Sequence, residues 1–75
     1  MTRKERVQAA YVELLMEKVR NDTYPSATHL RMIEETIPRP MVPDYIDLLM
    51  RKAGQDRVPS IPMLQRIKRV ADEML

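Results

Sequence analysis

Apolar residues recur along most of this chain with a helical period. After the charged opening Thr2-Arg3-Lys4-Glu5-Arg6, the residues Tyr11, Val12, Leu14, Leu15, Met16 and Val19 fill an arc of roughly 200° on a helical wheel, centred on Leu15. Glu13, Glu17 and Arg20 lie opposite. Thr2 followed by Glu5 fits a reciprocal N-terminal cap, and the pattern predicts a helix over about 3–20. Pro25 disfavours helical geometry in the residue before it, so the chain breaks there and Ser26 can cap a second helix over about 26–36. That helix shows a narrower stripe of Leu30, Ile33 and Ile37.

The pattern then starts again. Tyr45, Ile46, Leu48, Leu49, Met50 and Ala53 draw the same wide arc, now centred on Leu49, and predict a helix over about 44–53. Gly54 is placed to end it as a left-handed C-terminal cap. Pro59-Ser60 repeats the break, Pro62 falls at the second helical position, and a last helix over about 60–74 carries Met63, Leu64, Ile67, Val70, Ala71 and Met74. Aligned without gaps at an offset of 34 from Tyr11 to Ile37, the halves share 10 identities in 27 positions. Among them are Lys18/Lys52, Asp22/Asp56 and Ser26/Ser60.

These observations predict an all-α fold of four helices: two tandem helical hairpins related by internal duplication and a pseudo-twofold axis. A single domain over 1–75 is expected, with unit one at about 3–37 and unit two at about 44–75. Leu15 and Leu49 are expected to face one another in its core. Pro38, Pro40 and Pro43 mark residues 38–43 as a stiff, extended connector, with Asp44 or Pro43 opening the third helix. A period of 34 matches tetratricopeptide repeats in length alone, since that family's Trp, Gly and small-residue positions are missing.

Composition narrows the function classes. The chain has 75 residues, no Cys, one His, one Gly, and seven Met and three Tyr with no Phe or Trp. No thiolate metal site or redox centre is available, and one Gly cannot form a phosphate-binding loop. The opening charges lead into an amphipathic stretch unlike a signal peptide, and no apolar run approaches the roughly 20 residues of a membrane span. A cytoplasmic protein with no membrane partner is expected. A net charge of +2 permits an acidic partner without requiring one.

No catalytic, cofactor or metal site is expected. Ser26 and Ser60 read as caps, and Asp44/Asp47 and Asp72/Glu73 sit at helix ends. His29 stands alone, at the place of Met63 in the other half. Lys18 and Lys52 flank the apolar arcs, where a snorkelling stem and an i,i+4 pairing with Asp22 and Asp56 account for them. Tyr24 and Val58 precede the capping serines and would pack back as hydrophobic staples. Tyr11 and Tyr45 would pack across the pseudo-dyad with hydroxyls at the rim.

The leading functional expectation is a non-catalytic protein–protein interaction module, able to bind another protein or itself. Two apolar arcs this wide are hard to cover in a small bundle, and Met16, Met32, Met41 and Met50 could lie outside the core as adaptable contacts. Met32 and Met41, with Tyr24, are the candidate docking residues. The alternative is a nucleic-acid-binding regulator, in which Arg57, Arg66, Lys68 and Arg69 present a basic second helix of a loose helix-turn-helix. The long turn, the lack of stacking aromatics and the intervening Asp56, Asp72 and Glu73 weigh against it.

Overall fold

The computed structural model describes residues 1–58 and 60–75, so the part expected of Pro59 in the second break lies outside the described residues. Helices are the only regular elements among them: α1 (Arg3–Asn21), α2 (Ala27–Thr36), a single 3-10 turn (Arg39–Met41), α3 (Val42–Gln55) and α4 (Ile61–Met74). The chain parts into two compact units, Met1–Pro38 and Arg39–Leu75.

In the first unit, α1 starts with the reciprocal cap that Thr2 and Glu5 predict. The Glu5 amide donates to Thr2 Oγ1 at 3.1 Å, and the Thr2 amide donates to the Glu5 carboxylate at 3.2 Å. Two otherwise orphaned donors are satisfied at once. At the other end Asp22 turns extended, and its amide donates to the Lys18 and Val19 carbonyls at 3.1 and 3.3 Å. Ser26 then caps α2, its hydroxyl accepting from the amides of Thr28 and His29. α1 and α2 pack together, burying Val12, Leu15, Met16, Val19, Leu30 and Ile33.

The second unit begins differently. Residues expected to form an extended connector instead wind into the 3-10 turn, and α3 starts at Val42, two residues earlier than predicted. Proline fixes φ near −65°, which suits a tight turn or a first helical turn as well as an extended strand. Asp44 therefore lies inside the first turn of α3 rather than at its start, and Met41 occupies the cap position with no side-chain bond to the helix.

The expected left-handed cap at Gly54 is also absent. No described residue has positive φ, and Gly54 lies within α3. Asp56 ends the helix in extended geometry, its amide donating to the Ala53 carbonyl at 3.2 Å, as Asp22 ends α1. Ser60 caps α4 by accepting from the Met63 amide at 3.2 Å, with Pro62 in the first turn as predicted. α3 packs on α4 and on the 3-10 turn, and buries Val42, Tyr45, Ile46, Leu48, Leu49, Lys52 and Ala53. From α4 only Val70 is fully buried among the described residues.

Candidate interaction surface

The two wide arcs have different fates. On α3 the arc is buried almost throughout, with Met50 its exposed edge. On α1 only the side bearing Val12, Leu15, Met16 and Val19 is covered. Tyr11 keeps 38% of its surface and Leu14 59%, whereas their counterparts Tyr45 and Leu48 keep 0% and 4%. The expectation of matched tyrosines with rim hydroxyls thus fails for Tyr45. Lys18 is exposed and Lys52 buried, so these two aligned lysines do not share one environment either.

Val7 extends the exposed surface by one turn. At 100° per residue, Val7, Tyr11 and Leu14 fall within about 60° of one another, turned roughly 120° from the middle of the buried face. They form one continuous apolar stripe. Isolated surface hydrophobics are ordinary, but a helix showing two distinct apolar faces has one more than its hairpin partner covers. The sequence pattern pointed to Tyr11 and Leu14 as parts of the arc. Val7 falls within the same arc on the wheel, but it precedes the aligned segment that begins at Tyr11 and was not counted with it.

The residues expected to dock a partner are placed unequally. Tyr24 lies between α1 and α2 and keeps 83% of its surface, so it packs as no staple; Val58, before α4, is equally open. Each is too far from its helix's cap for a staple, because Pro25 intervenes in one case and residue 59 in the other. Met32, on the side of α2 away from Leu30 and Ile33, is half-buried, as is Met41 in the 3-10 turn. Met16, expected to be exposable, is core, while Met50 is exposed. Tyr24 and Met32 belong to the first unit and Met41 to the second.

The basic candidates fall on the second unit. Arg57 is exposed in the bend after α3, and Arg66 is half-buried on α4. Lys68 donates to the Asp72 carboxylate one turn on, and Arg69 lies 4.0 Å from Glu73. The hydrogen bond from Lys68 to Asp72, and then the opposite charge, hold the Lys68 ammonium above its ordinary pKa of 10.5. At least two of the four cations expected to meet phosphate already have acidic neighbours on the same helix. Exposed pairs of this kind contribute little to stability, yet a phosphate would have to compete with them.

His29 is half-buried on α2, and its Nδ1 is enclosed with no hydrogen-bond partner. Among the described residues no group of three or more His, Asp or Glu is placed to hold a metal ion. No described helix is long and apolar enough to cross a membrane. No protein-family model, curated protein or solved structure matches the chain.

Proposed function

We propose that this chain is a non-catalytic helical interaction module, built as a tandem duplication of one helical hairpin, that acts by docking another protein chain. The duplication reading is supported by the 27-position sequence match at an offset of 34 and by the shared way each half builds its breaks. Ser26 and Ser60 both cap, and Asp22 and Asp56 both end helices through their amides. The observation that carries the docking reading is the second apolar face of α1, formed by Val7, Tyr11 and Leu14, with Tyr24 standing open in the turn beyond it. Leaving that surface in water forgoes the roughly 25 cal/mol per Å² its burial would yield, and a partner recovers it. Half-buried Met32 in the first unit and Met41 in the second could each supply adaptable contacts to a partner.

Nucleic-acid binding through Arg57, Arg66, Lys68 and Arg69 has less support, since Lys68 and Arg69 sit beside Asp72 and Glu73. Affinity capture with the tagged full chain, alongside Leu14→Glu and Tyr24→Ala, tests the proposal. A specific protein should be retained by the wild type and lost with Leu14→Glu. Retention of nucleic acid instead, with affinity falling steeply as salt rises, would replace this reading by its rival.

A further inference from the structure

The charges beside the α1 stripe indicate what covers it. With Val7 as origin, Arg3, Arg6, Glu13 and Glu17 all fall on one flank of the stripe, between about 40° and 120° from it. The two arginines stand in its N-terminal half and the two glutamates in its C-terminal half. All four are exposed, and Glu17 also accepts from Arg20 at 2.6 Å and Asn21 at 3.3 Å on its own helix, so the twin's arginines compete with those bonds. The other flank leads to the face packed on α2.

A helix polarised in this way is complementary to itself when reversed. In an antiparallel pair each flank meets its own kind, residue by residue from opposite ends. Setting Val7 against Leu14 of the twin puts the dyad between Ala10 and Tyr11, Arg3 at the height of Lys18 and one position from Glu17, and Arg6 between Glu13 and Glu17. The small Ala10 lies beside the dyad and lets the two backbones approach. In a parallel pair this charged flank would meet the twin's other flank, so the arginines and glutamates would not face one another. Lys18 closes the stripe, where its stem lengthens the apolar surface next to Glu17.

We infer that α1 pairs with α1 of a second copy of this chain, antiparallel, through Val7, Tyr11 and Leu14, with register set by Arg3 and Arg6 against Glu13 and Glu17. This rests on the reading of the chain as an interaction module and names the partner. Three apolar side chains from each copy make a small contact, below the roughly 1,200 Å² of a standard interface, so the pairing is reversible and concentration-dependent.

Sedimentation equilibrium of the full chain from about 10 μM to 1 mM, with three variants, tests it. Wild type should pass from monomer to dimer across that range, and Leu14→Glu should stay monomeric. Arg3→Glu/Arg6→Glu and Glu13→Lys/Glu17→Lys, which change only exposed residues, should each pair at least about tenfold more weakly alone. An equimolar mixture of the two should recover a dimer, because one helix flank is then wholly acidic and the other wholly basic. A wild type that stays monomeric throughout, or a mixture no better than its parts, overturns the inference. Capture of a different protein through Leu14 would then still leave the module reading standing, whereas failure of both experiments removes it.

Discussion

α1 and α3 carry nearly the same apolar sequence and bury different amounts of it. Tyr11-Val12-Glu13-Leu14-Leu15-Met16 and Tyr45-Ile46-Asp47-Leu48-Leu49-Met50 agree at every position in polarity, yet Tyr45 and Leu48 are core while Tyr11 and Leu14 face water. Part of the difference lies in what precedes each helix. α1 opens with a charged, exposed turn, whereas α3 is entered through a 3-10 turn that packs against it and buries Val42 at its first position. The counterpart of Val42 is Gln8, which has no apolar side chain to bury. A shared pattern therefore sets which residues are able to be buried, and the neighbouring chain decides which of them are.

α2 and α4 show the reverse. Leu30 is buried, and its counterpart Leu64 is exposed. α4 has apolar residues at Met63, Ile67, Val70 and Met74, an i, i+4, i+7, i+11 ladder that shares Ile67 with Ile33 of α2 but carries Met63 and Val70 one position before the places of Leu30 and Ile37. In α2 the places of Met63 and Val70 are taken by His29 and Thr36. With the better stripe on that flank, α4 faces it inward and leaves Leu64 outside.

The largest test of this inequality is truncation at the two tyrosines. Tyr45→Ala should cost about 3–5 kcal/mol by denaturant unfolding, as large aromatic deletions in a core do, and Tyr11→Ala less than about 1 kcal/mol. Equal costs would break the comparison. Next, Leu30→Ala should cost about 2–5 kcal/mol and Leu64→Ala no more than about 1 kcal/mol, reversing which unit suffers more. Smaller still, Gly54→Ala should stabilise by about 0.5–1 kcal/mol. Gly54 is helical with negative φ, and an added Cβ would meet nothing within 4 Å. Destabilisation there would restore the left-handed cap.

The smallest effect concerns Lys68. Its ammonium should titrate above 10.5 by NMR and return toward that value in Asp72→Asn. Because the folded-state pKa is raised, the pair's small contribution is complete below the unfolded value and fades as pH rises through the folded one.

The helices and most of their ends were legible in the sequence, because caps are local. Thr2/Glu5, Ser26, Ser60 and Pro62 each act within one turn, and each behaves as its spacing predicts. The connector was misread because proline's fixed φ serves a 3-10 turn as readily as an extended run. Gly54 was misread because a glycine near a helix end permits a left-handed cap without requiring one. The surface was only half legible. The wheel identified the excess of apolar positions on α1, but which of them stay uncovered depends on the packing partner, a relation that no window of sequence contains. Tyr24 emerged as exposed, Met32 and Met41 as half-buried, and Val7 entered only once exposure was known.

Hydroxyl-radical footprinting of the dilute full chain, read residue by residue by mass spectrometry, tests the central inequality most directly. Tyr11 and Leu14 should be modified many times faster than Tyr45 and Leu48. Equal protection of the two pairs would mean that both arcs are covered alike, and that α1 has no open apolar face to offer.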